Sequence, residues 1–181
     1  MDRFIAAVIL FFISPIILII LIITMLDLHC NPIFVQKRTV NGETDFDFYK
    51  IRSMVKYAPV VPTAEFIEPK LYITKWGRFL RTFSIDELLN LVCIVKGDMK
   101  FIGPRPIMLN ENELILLRKK NKIHSKAGIT GLAQINGRDL ISTTKKVACE
   151  RYYCHHNSVL LRYYIVLKTV HIVLKRTNIT H

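Results

Sequence analysis

The sequence predicts an α/β fold, a small mixed domain of helices and short strands carried on an N-terminal membrane helix. Three features predict it. The chain opens on a long uncharged run, continues into two strand-like segments joined by Asn41-Gly42, and then alternates amphipathic helical stretches with glycine- and proline-marked turns. Residues 1–28 form the membrane-embedded part, and residues 29–181 form one compact cytoplasmic domain with its own core.

From Phe4 to Leu26 there are 23 residues without a charge, long enough as a straight helix to cross a bilayer. The length of the run, with no small-residue cleavage site after it, argues against a removable signal peptide. Pro15 near its middle removes a backbone hydrogen bond and predicts a kink, and the Ser14 hydroxyl can satisfy part of the freed backbone. On physics alone a kinked helix still spans as a single-pass anchor. Positive charge follows the run overwhelmingly, which places the domain on the cytoplasmic side.

Ile33 to Arg38 and Thr44 to Arg52 read as a hairpin about the Asn41-Gly42 turn, with Phe46, Phe48, Lys50 and Arg52 on one face of the second strand. Such a face fits an amphipathic edge strand with solvated cations as well as a binding surface. Val55 to Leu71, with Pro59, Pro62 and Pro69, reads as a surface loop. Thr74 to Thr82 is helical in pattern, with Trp76 and Phe79 packing and Lys75, Arg78 and Arg81 exposed. Ile107 to Asn121 is expected to be a helix, its basic end Arg118-Lys119-Lys120 a solvated cap. Lys126 to Asp139 is a glycine-punctuated loop and strand bearing Gln134, Asn136 and Arg138; its glycines suit close approach to a ligand or ordinary tight turns. Ser158 to Arg176 is an apolar helix with Lys168, His171 and Lys175 on one stripe, suited to a membrane interface or to a core with a wet edge.

Arg81 to Pro106 is the densest stretch. Ser84 followed by Glu87 is a capping-box pattern ahead of Leu88, Leu89, Leu91, Val92 and Val95, so a helix is expected to stop near Gly97 with Asp86 and Glu87 in its first turn. An acidic first turn is often no more than a good helix start. Here the pair is flanked by Arg81 and by Arg105 in a Gly-Pro-Arg-Pro turn, where two prolines can fix a guanidinium fork suited to phosphate. Two carboxylates between two arginines suggest an anion-handling site containing a nucleophile or a metal ligand.

The segments S-I-D-E-L-L-N-L, G-D-M-K-F-I-G-P-R-P and G-I-T-G-L-A-Q-I-N-G-R strongly resemble, in the same order, the bacterial sugar transferase family of small monotopic phosphoglycosyl transferases. In that family a Ser-Pro break makes the N-terminal segment a re-entrant helix that enters and leaves on the cytoplasmic face, which the resemblance implies for Ser14-Pro15. It further implies transfer of a sugar 1-phosphate from a UDP-sugar to a polyprenyl phosphate with release of UMP. This is the first membrane step of a surface glycan, at the bacterial inner membrane. Asp86 would be the nucleophile, Glu87 with Asp86 would hold Mg2+, and Arg81, Arg105 and Arg138 would clamp the diphosphate. The motifs F-V-Q-K-R and F-Y-K-I-R-S-M make Lys37, Arg38, Lys50 and Arg52 candidate anion contacts, and Gln134 and Asn136 join them as substrate-side residues. The chain departs from the family pattern at Ala127, where proline is usual, at Leu132, where tryptophan is usual, and at Glu150 and Arg162, where aspartates are common.

Composition sets the rivals. A net charge of +12 calls for anionic partners, whether nucleic acid, acidic lipid or phosphorylated substrate. A nucleic-acid binder would explain the charge, but no recognition-helix, zinc-finger or aromatic RNA-binding pattern is present. A membrane-anchored basic adaptor would explain charge and helix but not Asp86, Glu87 and the Gly-Pro-Arg-Pro turn. Cys30, Cys93, Cys149 and Cys154 lack paired spacing and read as reduced thiols; Cys149 and Cys154 with His155 and His156 are a weak metal pattern, because neighbours on a helix diverge. The sequence is compatible with a homo-oligomer.

Overall fold

The computed structural model describes residues 1–61, 68–137 and 140–175. Helix α1, Asp2–Leu28, runs through Pro15. The missing Pro15 N–H would have bonded the Phe11 carbonyl, and the Ser14 hydroxyl donates to that carbonyl instead at 2.8 Å. The helix ends where His29 turns left-handed and returns its N–H to the Met25 carbonyl.

One stripe of α1 packs on the domain from end to end. Ala6, Leu10 and Ile13 join the main core, and Ile17, Ile20 and Leu21 join a second cluster. Thr24 is fully buried and accepts from Trp76 Nε1 at 2.9 Å, and Asp27 accepts from the Thr74 hydroxyl at 2.7 Å. The 3–4 residue spacing of these positions is that of a helix buried along one side. The remaining faces, including Phe4, Phe11, Phe12, Leu18, Ile19 and Leu26, are exposed and apolar.

The hairpin forms as expected. Strands β1, Ile33–Thr39, and β2, Asp45–Ile51, pair antiparallel in the register Ile33↔Ile51 to Thr39↔Asp45. Gly42 takes the left-handed conformation in the turn, at φ 75°, and its N–H is held by the Thr39 hydroxyl. Helix α2, Lys75–Thr82, is capped by the Thr74 hydroxyl, and Trp76 stacks on Phe79 at 5.3 Å between ring centres. The part of the Val55–Leu71 segment from 62 to 67 lies outside the described residues; Pro69–Tyr72 forms a single 3-10 turn.

Two expectations are corrected. Helix α3 is Asn90–Lys96, and Asp86 and Glu87 precede it in a 3-10 turn, Ile85–Glu87. Ser84 takes a left-handed conformation, φ 55°, which carries its side chain away from the capping position, so no capping box forms. The end at Gly97 holds, with φ 92°. Ile107 does not start a helix. Ile107–Met108 is strand β4, paired with β1 at Thr39 and Arg38, and helix α4 spans Asn112–Lys120. Pro106 sets an extended approach, and the strand edge of β1 takes up the apolar pair that helical periodicity had claimed.

Strand β3, Met99–Ile102, pairs in parallel with β5, Ala127–Thr130. A turn of helix α5, Leu132–Ile135, then α6, Thr143–His155, and α7, Val159–Lys175, complete the fold. The main core gathers Phe48, Leu91, Ile94, Met99, Ile107, Leu114, Ile123 and Val147 around Ala6 of α1. Most of α7 is exposed: Ile165 is buried, while Val159, Leu160, Tyr163, Leu167, Val170 and Leu174 face outward beside Lys168, His171 and Lys175. All four cysteines are free, and among the described residues no group of three or more His, Cys, Asp or Glu could hold a metal. Burial pushes the Cys93, Cys149 and Cys154 thiols up, which keeps them protonated and inert.

Candidate active site

The carboxylates are presented by a tight backbone. Glu87 N–H bonds the Ser84 carbonyl and Leu88 N–H bonds that of Ile85, so the pair is fixed over less than a helical turn. β2 lies alongside. Lys50 reaches across, with Nζ 2.9 Å from Glu87 Oε1 and 4.0 Å from Asp86 Oδ2. Its stem passes over the Phe48 ring, with Nζ 5.4 Å from the ring centre. Arg105 approaches from the other side, with Nη2 3.3 Å from the same Glu87 oxygen. The Asp86 and Glu87 side chains are largely buried, at 12% and 13% exposure.

Arg38 completes the cluster. Its Nη1 lies 3.9 Å from Glu111 Oε1, while its Nε is buried with no protein partner. Burial, with the like charge of Arg105 next in size, brings its pKa down to about 10. A buried cation with an unused donor beside a second guanidinium is stabilised by any anion that enters between them. Three cations, Arg38, Lys50 and Arg105, thus surround three carboxylates, Asp86, Glu87 and Glu111.

The Gly-Pro-Arg-Pro turn is held by its acceptors, because its two prolines have no N–H to donate. Gly128 N–H bonds the Pro104 carbonyl at 2.9 Å, and Arg118 Nη2 bonds the Arg105 carbonyl at 3.0 Å. Gly103 N–H extends the β3–β5 ladder to the Thr130 carbonyl. The glycines are required here: a Cβ on Gly128 would stand 2.0 Å from the Gly103 nitrogen.

The other residues proposed from the sequence separate into groups. Arg81 lies in the last turn of α2, half-buried, and its carbonyl accepts from Ser84 N–H just before the acidic pair. Gln134 packs under the turn, its Nε2 3.4 Å from the Gly103 carbonyl and its Oε1 buried without a protein partner. Three are not brought to the carboxylates. Lys37 faces the other way and pairs with Asp47 at 3.1 Å and Asp45 at 3.9 Å. Arg52 turns back to the Asn31 carbonyl and lies over the Phe34 ring. Asn136 bonds the Leu132 carbonyl, closing α5. Arg138 lies outside the described residues.

Sequence reasoning missed Arg118. Expected in a solvated cap, it is 1% exposed and forms a two-pronged ion pair with Glu150 of α6. The signal was its place four residues after Leu114 and three after Ile115, on the stripe of α4 that is buried. Glu111, which reaches Arg38 and also accepts from Met108 N–H at 2.7 Å, was missed as well.

The fold and the site define a small α/β domain packed on a long apolar N-terminal helix, with a carboxylate pair inside a cluster of basic side chains. The sequence profile of the bacterial sugar transferases matches residues 1–176, and the chain belongs to that family. It is 34% identical over 161 residues, 89% of this chain and 79% of the other, to the uncharacterized sugar transferase EpsL of Bacillus subtilis. To the exopolysaccharide production protein ExoY of Rhizobium meliloti it is 30% identical over 184 residues, 93% of this chain and 81% of the other. It is also 36% identical over 104 residues to an undecaprenyl-phosphate galactose phosphotransferase of Salmonella typhimurium, a match that covers 58% of this chain and 22% of that longer protein.

Proposed function

We propose that this protein transfers a sugar 1-phosphate from a UDP-sugar to a polyprenyl phosphate, releasing UMP, as the first membrane step of a bacterial surface glycan. The observation that carries the proposal is the pairing of Asp86 and Glu87 with Lys50 and Arg105. The two carboxylates stand among cationic donors of the kind that bind phosphate oxygens. The names of relatives that act on undecaprenyl phosphate support the lipid acceptor.

In the first half-reaction an Asp86 oxygen attacks the phosphorus that bears the sugar. The P–O bond to UMP breaks, UMP leaves with that bond's electron pair, and an aspartyl phosphosugar remains. In the second, an oxygen of the polyprenyl phosphate attacks the same phosphorus, and the Asp86 carboxylate leaves. The product is a polyprenyl diphosphate sugar. Arg105 and Arg38 hold the phosphate oxygens, and Lys50, set between the two carboxylates, balances negative charge where the phosphate meets Asp86.

The donor chemistry fits a Mg2+, since two adjacent carboxylates are hard oxygen donors of the kind that ion takes together with substrate phosphates. Glu87 with Asp86 would hold the ion, which would neutralise charge on the phosphate oxygens.

The docking of α1 favours a helix that does not cross the membrane, with both its ends on the domain's side. A helix of 27 residues extends about 40 Å. If it crossed the membrane upright, the domain docked along Ala6, Leu10, Ile13 and Ile17, including α3 with Asn90 and Lys96, would be drawn into hydrocarbon. A helix lying shallow, its exposed apolar faces in lipid and its docked stripe toward the domain, avoids that cost. The site then sits at the membrane surface, where a water-soluble nucleotide and a lipid-borne acceptor meet. A screen of UDP-sugars for UMP release in detergent, with and without polyprenyl phosphate, tests the function. UMP from at least one donor is the expected result, and none from any donor would overturn it.

A further inference from the structure

The buried Arg118–Glu150 pair has no direct route to substrate, yet it touches the turn that carries Arg105. We propose that Arg118 is a positioning residue: held by Glu150, its guanidinium fixes the backbone of Arg105 and so aims the Arg105 fork at the phosphate site. This rests on the anion-handling role of Arg105 proposed above.

The geometry makes the case. Arg118 projects from α4, and its guanidinium donates in three directions. Nε and Nη2 engage both oxygens of Glu150 on α6, Nη1 bonds the Val40 carbonyl in the β1–β2 turn at 2.8 Å, and Nη2 bonds the Arg105 carbonyl at 3.0 Å. One planar group therefore ties four separate segments. Both partners are almost completely buried, at 1% and 4% exposure. The planar fork is the one side chain that can serve a carboxylate and two carbonyls together; a lysine ammonium at the same place would have to give up some of them.

A buried ion pair is weak evidence for stability in itself, since apolar residues of similar volume often replace one without loss. The Arg105 carbonyl is what gives this pair a functional consequence. Arg105 stands between prolines, so its carbonyl is among the few handles by which the turn can be fixed, and the adjoining Pro104 carbonyl is already taken by Gly128. Release of one handle lets the peptide at 105–106 rock, and a guanidinium at the end of its side chain moves further than the peptide does. Displacements on the order of 1 Å in a positioning group can cost about a hundredfold in rate.

The decisive variant replaces the pair with apolar residues, Arg118→Met with Glu150→Leu, leaving no buried charge. We expect folding to persist in a thermal melt, with kcat for UMP release down roughly tenfold to a hundredfold. The discriminating readout is a double-mutant cycle with Arg105→Lys. If Arg118 acts through Arg105, the lysine change costs much less in the apolar-pair background than in the wild type. If the pair is merely structural, the two losses multiply, and the proposal is wrong. If the apolar pair does not fold, Arg118→Lys takes its place in the same cycle, with the same two outcomes. Should the wild-type protein release no UMP from any UDP-sugar, the reaction reading fails on its own. The same cycle is then read from the affinity for inorganic pyrophosphate, where non-additivity supports positioning and independent losses refute it.

Discussion

Arg105→Lys keeps the charge and removes the fork. In the wild-type site one Nη of Arg105 meets Glu87 at 3.3 Å while its backbone is held from behind by Arg118. A lysine can approach Glu87, but a single ammonium cannot contact Glu87 and also give a second, parallel donor to a phosphate oxygen. The loss is one hydrogen bond to a charged group, about 1.5–3 kcal/mol, which corresponds to roughly 10- to 150-fold in kcat/KM. Stability should hardly change, because the Arg105 side chain is 29% exposed and a partly solvated pair contributes about 1 kcal/mol or less. The assay is UMP release in detergent with polyprenyl phosphate present, alongside a thermal melt of the same sample. Lys119→Ala, on the exposed side of α4, is the control and should be silent. Turnover within twofold of wild type for Arg105→Lys would refute the reasoning and reduce Arg105 to one surface cation among many.

Three further outcomes are expected. Lys50→Met keeps the aliphatic stem over Phe48 but leaves Glu87 and Asp86 without their shared ammonium; UMP release should fall at least tenfold, about 1.4 kcal/mol, with folding retained, as a melt and a rate on one preparation will show. Gly128→Ala places a Cβ against backbone of Gly103 and forces β3 and β5 apart, so destabilisation of about 1–3 kcal/mol or more is expected in chemical denaturation, with activity lost in parallel. A cysteine placed at Asp2 should stay unlabelled by an impermeant thiol reagent outside intact cells, and labelling would make α1 a spanning anchor; Pro15→Ala should shift the balance toward spanning by restoring a continuous backbone ladder.

Much of this architecture was legible because local chemistry and the final fold agree. Asn41-Gly42 makes its turn, Thr74 caps α2, and Gly97 ends α3. The failures share a cause: a long-range partner outweighed a local signal. Ser84 and Glu87 have the spacing of a capping box, but the chain turns through a left-handed Ser84 to present the carboxylates to Lys50, 37 residues earlier. Ile107 and Met108 fit a helical stripe until β1 offers an edge. Of the residues singled out by motif position, the structure places Asp86, Glu87, Lys50, Arg38 and Arg105 near one another. Motif position grouped Lys37 with Arg38, although side chains alternate across a strand and neighbours face opposite ways. Arg118 was hidden for a different reason. A basic helix end normally meets water, and only the distant Glu150 and two carbonyls make burial of this one tolerable.

The most direct test of the central claim separates the two carboxylates chemically. Wild-type protein given a UDP-sugar without lipid acceptor should release up to about one UMP per active site, and intact-protein and peptide mass spectrometry should place a sugar phosphate on Asp86. Asp86→Asn should release none under any condition. Glu87→Gln should recover in part as Mg2+ is raised, since its role is to hold and balance charge rather than to form the bond. UMP that appears only when polyprenyl phosphate is present, with no adduct trapped, would contradict the account and point to direct transfer in a ternary complex; an adduct on Glu87 would reverse the two roles.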